Sequence, residues 1–234
     1  MSNQNNPDKN KQISVIQLEE KILRDNDIIA DEVRTLLKEK RIYAINMISS
    51  PGSGKTTLLE KILLKIGKQM SCAVIEGDQQ TSRDAERIAA TGVPVVQINT
   101  LQSCHLNAAQ VAESFKKLPI DKIKLLFIEN VGNLVCPASM DLGENEKIVL
   151  MSVTEGEDKP IKYPLAFQLA HILVLTKVDL IPHLHFDQKL FEKCVNQVNP
   201  HLQIIETSSY TEMGLNKLIK YLQNGMLIAT NIIE

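Results

Sequence analysis

The sequence predicts an α/β domain: a mostly parallel sheet with helices on both faces, preceded by an N-terminal helix. Three observations predict it. First, seven short apolar runs recur along the chain, at Ile42–Ile48, Cys72–Ile75, Val93–Ile98, Leu125–Ile128, Ile148–Val153, Ile172–Leu175 and Leu202–Ile205. Helical patterns such as Thr57–Ile66 and Asn107–Lys117 lie between most of them. Strands buried on both faces are continuously apolar, and their alternation with helices produces parallel sheets. Second, Leu18, Ile22, Ile29, Val33, Leu36 and Leu37 fall at helical spacing and predict an amphipathic helix from about Leu18 to Lys38. Third, 234 residues without an internal repeat or long linker suit one domain. Residues 1–14 are rich in Asn, Gln, Lys and Asp and are expected to be a disordered polar tail. Residues 15–234 are expected to form the domain with its N-terminal helix.

Composition excludes several function classes. The net charge of −2 offers no basic excess for nucleic acid or an acidic membrane. Aromatics are 4% and Trp is absent, which argues against a surface that stacks single-stranded bases. No apolar run reaches the roughly 20 residues that span a bilayer. The N-terminal MSNQNNPDKNKQ has no apolar core of a secretory signal, so a cytoplasmic protein is expected. Its four cysteines are then reduced, available for packing or metal rather than disulfides.

After the first strand comes Ser49-Ser50-Pro51-Gly52-Ser53-Gly54-Lys55-Thr56-Thr57, then a helix. Strand, Gly-rich loop and helix start are the context of a phosphate-binding loop. Gly52 and Gly54 let the backbone curl so that N–H groups from Pro51's successors onward, including Ser53, point at phosphate. The helix N-terminus adds partial positive charge. Lys55 is expected at the β- and γ-phosphates, and the Thr56 hydroxyl on Mg²⁺. The fold class is therefore a P-loop NTPase. Ser49 departs from the generic loop, which has Gly there.

Two later strands end in carboxylates. Val74-Ile75-Glu76-Gly77-Asp78 closes one, and Leu125-Leu126-Phe127-Ile128-Glu129-Asn130-Val131-Gly132 another. Ligands of parallel sheets bind beyond the carboxyl ends of strands. Mg²⁺ takes one or two carboxylates together with phosphate and water. Asp78 and Glu129 are the candidates, and Gly132 offers a backbone N–H to the γ-phosphate. A strand-end acid is commonly just solvated; behind a phosphate loop it has a cation to hold.

The base is indicated by Thr176-Lys177-Val178-Asp179 at the end of an apolar strand. A carboxylate at Asp179 accepts from the ring N–H and exocyclic amine of guanine, which adenine cannot match, and leaving it unpaired is costly. Lys177 is expected to lie along the base. Thr176 replaces the usual Asn of N-K-x-D. Ser208, in Glu206-Thr207-Ser208-Ser209-Tyr210 after the last strand, matches a common base-binding loop.

Cys104-His105 precedes a helix, and Cys136-Pro137 follows Gly132 by a few residues. Thiolate and imidazole suit Zn²⁺ or Ni²⁺. Three ligands are one short of a closed tetrahedral site, which a second subunit or water would complete. Sequence alone does not bring the two segments together. Cys72 is expected in the core and Cys194 in packing or at the surface. His183 and His185 form a His-x-His after Pro182 that is expected to be solvated; His171 and His201 receive no role.

Together these residues resemble the HypB family of GTPases that assist nickel insertion into hydrogenases. The similarity runs from the helix near Leu18 to a last helix near Leu227. It is carried by SSPGSGKTT, EGDQQTSRDAER, ENVGNLVCP, TEGEDKP and TKVDLIP at Ser49–Thr57, Glu76–Arg87, Glu129–Pro137, Thr154–Pro160 and Thr176–Pro182. The resemblance implies GTP and GDP as ligands and Cys104, His105 and Cys136 as the Ni²⁺ or Zn²⁺ site. It also implies a homodimer promoted by GTP with metal at the interface, a nickel-delivery partner protein and a hydrogenase large subunit as target. The N-terminus here lacks the Cys-rich nickel motif and His-rich stretch of some members, so nickel storage by this tail is not expected. UreG matches less well, because its Cys-Pro-His metal motif is absent.

The expected reaction is in-line attack of water on the γ-phosphate, with Lys55, Mg²⁺ and loop N–H groups stabilising the transferring phosphoryl group. No general base is evident, and turnover is expected to be slow. Two other readings remain: a P-loop ATPase or small-molecule kinase, and a metal carrier in which GTP hydrolysis is incidental.

Overall fold

The computed structural model describes residues 7–67, 69–78, 83–100 and 103–231. Seven strands form one parallel sheet: β1 (Tyr43–Ser49), β2 (Cys72–Asp78), β3 (Val95–Asn99), β4 (Leu125–Gly132), β5 (Glu146–Ser152), β6 (Ile172–Thr176) and β7 (Gln203–Glu206), in the order β3-β2-β4-β1-β5-β6-β7. Every predicted run became a strand, with ends shifted by up to four residues. β2 and β4 run on past their apolar stretches through Asp78 and Gly132, because parallel pairing continues beside β3 and β1. The carboxylates of both strands are thereby held on the sheet instead of in free loops.

Side chains alternate across the sheet, and each face is covered. Helices α2 (Lys55–Ile66), α3 (Arg83–Ala90) and α9 (Leu215–Asn231) cover one face, packing on Ile45, Val74, Phe127, Leu150 and Val174. On the other face, α1 (Pro7–Lys40) and α4 (Ala108–Ser114) cover the β2–β4–β1 half through Val33, Leu37 and Val111. There α5 (Cys136–Ser139), α7 (Pro164–Gln168) and α8 (Gln188–Val198) cover the β5–β6 half through Ala138, Phe167 and Phe191. A short α6 (Lys159–Lys162) precedes α7. Cys72 and Cys194 are both buried and free. Among the described residues, no helix is long and apolar enough to cross a membrane.

The N-terminal helix is longer than the apolar spacing indicated. It begins at Pro7, inside the segment expected to be a disordered tail. Proline is favoured in the first helical turn, and Lys and Gln are good helix formers. Residues 1–6 of that tail lie outside the described residues, as do residues 79–82 of the EGDQQTSRDAER string. Near its C-terminal half α1 is fixed by polar contacts: Asn26 Nδ2 donates to the Asp141 carbonyl at 2.8 Å, and Arg34 pairs with Asp141 at 2.6 Å.

Candidate nucleotide and metal sites

β1 is central in the sheet, and its carboxyl end opens into the Gly-rich loop. Gly52 and Gly54 have φ of 75° and 91°, values that disfavour side chains, so both glycines are required by the turn. Ser49 is the last residue of β1 and does not take a positive φ, which explains how it replaces the generic Gly. Gly54 leads into α2, whose first residues are Lys55 and Thr56. A cavity of about 520 Å³ opens over this loop, closed laterally by Glu76–Asp78, Glu129, Gly132 and Lys177. Lys55, Thr56, Asp78 and Glu129 thus share one cavity.

The floor of that cavity is rich in oxygen atoms. Thr56 Oγ1 is 2.5 Å from Glu129 Oε1 and 3.0 Å from Asp84 Oδ2, and Lys55 Nζ is 3.0 Å from the same Glu129 oxygen. One hydroxyl proton serves only one of those two carboxylates. Glu76 and Glu129 lie opposite each other on β2 and β4, both buried, and among the described residues Glu76 Oε2 and Glu129 Oε2 have no hydrogen-bond partner. Burial, then the Glu129 and Asp78 charges, push the Glu76 pKa up to about 8. Hard oxygens converging on Thr56 with orphaned lone pairs fit a divalent cation such as Mg²⁺. Glu76, Asp84 and Arg87 were not singled out from the sequence. Arg87 spans the cavity wall, donating to Glu60 at 2.6 Å and to Thr57 Oγ1 at 3.1 Å, and pairing with Asp84 at 3.3 Å. Their only advance signal was i,i+3 spacing of Asp84 and Arg87 within the resembling string.

Gly132 presses on the loop. A Cβ there would lie 3.2 Å from the Cα and N of Pro51. Glycine at the end of β4 thus permits direct backbone apposition with the phosphate loop.

A second cavity of about 600 Å³ adjoins the first, with Gly54, Thr57 and Lys177 bordering both. Asp179 lines it, and among the described residues its carboxylate has no protein partner. Lys177, at φ 58°, extends over the loop and donates from Nζ to the Gly52 carbonyl at 2.7 Å. The Thr176 hydroxyl is not free toward this cavity; it donates to the Ser53 carbonyl at 2.5 Å. Ser208 is buried, and its hydroxyl accepts from the N–H groups of Tyr210 and Thr211. Ser209 and Tyr210 line the pocket instead, so Ser208 shapes the loop that presents them. A cavity beside the Gly-rich loop, lined by Thr57, Lys177 and the Asp179 carboxylate, suits a nucleotide base.

Cys104 and His105 lie on the loop between β3 and α4, and Cys136 is the first residue of α5. The fold brings the two segments together: one ligand atom from each of the three residues lies within 4.8 Å of the others. Cys104 Sγ and His105 Nδ1 are 3.5 Å apart. Two tetrahedral ligands at Zn–S and Zn–N bond lengths are about 3.6 Å apart. Burial lowers the His105 pKa and favours the neutral, ligating ring, whereas the neighbouring Cys136 thiol, then burial, raise that of Cys104. The loop is held by a capping box, in which Asn107 accepts from Gln110 N at 2.9 Å and Gln110 Oε1 accepts from Asn107 N at 3.0 Å. His183 and His185 are exposed and away from this cluster.

Residues 43–206 match the family model described as CobW/HypB/UreG, nucleotide-binding domain. The hydrogenase maturation factor HypB of Escherichia coli K12 is 47% identical over 209 residues, covering 89% of this chain and 72% of that protein. A probable hydrogenase maturation factor HypB from Methanocaldococcus jannaschii is 36% identical, covering 92% of this chain and 97% of that protein. The crystal structure of HypB from Helicobacter pylori in complex with nickel superposes with a TM-score of 0.82 at 38% identity, covering 86% and 95% of the two chains. That of the hydrogenase maturation factor HypB from Archaeoglobus fulgidus gives 0.81 at 35% identity, covering 87% and 100%. With the phosphate loop, the flanking carboxylates and the Cys–His–Cys cluster in one fold, the chain belongs to the HypB family of hydrogenase maturation factors.

Proposed function

We propose that this protein hydrolyses GTP and couples its nucleotide state to nickel delivery into a [NiFe]-hydrogenase. The observation that carries the reading is one of connectivity. Glu129 and Gly132 line the phosphate cavity, and Cys136, four residues beyond Gly132, joins Cys104 and His105 in a soft-ligand cluster.

In this reading the loop N–H groups and Lys55 bind the β- and γ-phosphates, and Lys177 and Asp179 select guanine. Thr56, Asp78 and Glu129 hold Mg²⁺, with Glu76 and Asp84 beside them. When bound, Mg²⁺ supplies positive charge to the phosphate oxygens. The chain's own part is to align the γ-phosphate and exclude bulk water over Gly132. Cys104, His105 and Cys136 carry Ni²⁺ or Zn²⁺ as cargo, with the fourth position completed by water or by a second copy in a GTP-promoted homodimer. A nickel-delivery protein loads the site and a hydrogenase large subunit receives the metal, in the cytoplasm.

The test is calorimetric titration of metal-free protein with Ni²⁺ and Zn²⁺, in GDP and in a non-hydrolysable GTP analogue, beside a sizing column. Metal affinity and dimerisation that change with nucleotide, and a change abolished by Cys104→Ala, are the expected result. Guanine binding with nucleotide-indifferent metal affinity leaves the GTPase and removes the delivery switch. Displacement of bound guanine nucleotide by equimolar ATP would instead favour an ATPase or kinase.

A further inference from the structure

Between the strand-end carboxylate Glu129 and the phosphate-facing Gly132 lies a polar residue with no solvent exposure, Asn130. Its Oδ1 accepts from Leu106 N at 3.1 Å and from Val131 N at 3.0 Å. Its Nδ2 donates to Asn46 Oδ1 at 3.2 Å. Asn46 in turn donates to Glu144 Oε1 at 3.1 Å, whose other oxygen accepts from Leu142 N at 2.7 Å. The amide is therefore fixed in orientation by partners on three sides. A buried network of this kind specifies one arrangement, because any unmade bond leaves a desolvated polar group.

Leu106 directly follows the ligand pair Cys104-His105 and is fully buried. Asn130 holds its backbone. Its side chain lies over Gly77, where an added Cβ would meet Leu106 Cγ at 2.8 Å. Gly77 separates Glu76 from Asp78. One residue of the metal loop is thus gripped by both strands whose carboxylates face the phosphates. Two residues on, Ala108 N donates to Asn26 Oδ1 of α1 at 2.9 Å, which anchors the loop's far end.

The two halves of the ligand set therefore both depend on β4. Cys136 follows it along the chain, and Cys104-His105 is bound to it across space through Leu106. We propose that Asn130 is a positioning residue that keeps the two halves in register and passes movement of the Glu129–Gly132 edge to Cys104 and His105. The Leu106–Gly77 contact is the second grip. This inference rests on the nucleotide–metal coupling proposed above.

The experiment is Ni²⁺ titration of the full chain, followed by thiolate-to-nickel absorption, with GDP and with a non-hydrolysable GTP analogue. For the wild type, Ni²⁺ affinity is expected to differ about fivefold or more between the two states. For Asn130→Ala, the ratio is expected to fall below about twofold and the absorption band to become the same in both states, while GDP still binds. A merely structural asparagine would lower the melting temperature and leave the ratio and the band difference as they were. That outcome overturns the relay but not the coupling. A wild-type ratio of one overturns both. Gly77→Ala approaches Leu106 from the other strand and covers the case in which Asn130→Ala does not fold. A folded Gly77→Ala chain with the wild-type ratio overturns the relay as well.

Discussion

The Thr176 hydroxyl donates a 2.5 Å hydrogen bond to the carbonyl of Ser53, joining the end of β6 to the middle of the phosphate loop. The adjacent Lys177 adds a 2.7 Å bond to the Gly52 carbonyl. Replacement of the usual Asn by Thr thus leaves this position able to tie the end of β6 to the loop. Removing the hydroxyl while keeping the shape isolates that tie. Thr176→Val leaves a buried carbonyl short of a partner, at a cost of about 1–3 kcal/mol. GDP and GTP-analogue affinity should both fall about tenfold, since both nucleotides need base and phosphates in register. Fluorescent-nucleotide titration checks this. Undiminished affinity would mean that the loop holds its shape without β6.

Much of this was legible in the sequence because it is written along the chain. The Gly-rich loop with Lys55 and Thr56 follows β1, Glu129 sits near the end of β4 and Asp179 lies just past β6, so the strand ends fix where they stand. What crosses between elements was not legible. Asp84 reaches Thr56 because α3 packs beside α2, with Ile88 and Leu59 in a shared core. Glu76 received no role beside Asp78, although residues two apart on a strand share a face and both line the cavity. Gly77, given no role from the sequence, is the seat of Leu106. The Pro7 start of α1 was missed because polar composition reports absence of burial, not absence of helix.

Asp84 and Arg87 carry a second prediction. Asp84 Oδ2 is 3.0 Å from Thr56 Oγ1, and Arg87 clasps the other oxygen at 3.3 Å while its remaining N–H groups hold Glu60 and Thr57. The arrangement orients a carboxylate beside Thr56, the proposed Mg²⁺ ligand. Residues that orient metal ligands change metal affinity or activity about 10- to 100-fold when lost. Asp84→Asn should therefore raise the Mg²⁺ concentration for half-maximal GTP hydrolysis by about tenfold. Nucleotide affinity measured in EDTA should not fall. A Mg²⁺ dependence identical to wild type would remove Asp84 from the site.

A stability test concerns α9 and β1. Glycine in a helix interior is usually improved by alanine, by about 1 kcal/mol. At Gly225 the sign should reverse. An added Cβ would lie 2.5 Å from Cζ of Tyr43, a side chain only 2% exposed and packed under the helix. The helix is tied in place on this side by the bond from Tyr221 Oη to Glu146 Oε2 at 2.6 Å. Overpacking of this kind costs about 1–3 kcal/mol. Urea unfolding of Gly225→Ala should show a lowered midpoint; a raised one would mean that Tyr43 has room to move.

Glu76 gives the pH dependence its sign. Its carboxyl is 2% exposed and faces Glu129, Asp78 and Asp84, with Lys55 as the nearby cation. Burial, then the neighbouring charges, raise its pKa from 4.5 to about 8 in the folded chain. Between those values the folded state holds a proton that the unfolded state has released. Stability from this group is therefore present in full below the unfolded value and is lost as pH rises through about 8. Without nucleotide or Mg²⁺, the melting temperature should fall as pH is raised from about 6 to about 8.5. Glu76→Gln removes the titrating group, and its slope should be flatter. Saturating Mg²⁺ with GDP should flatten the wild-type slope too, because a cation among the carboxylates replaces the proton. If wild type and Glu76→Gln fall equally steeply without ligand, the proton is held elsewhere, and the orphaned oxygens of Glu76 and Glu129 are not the pair that the cation neutralises.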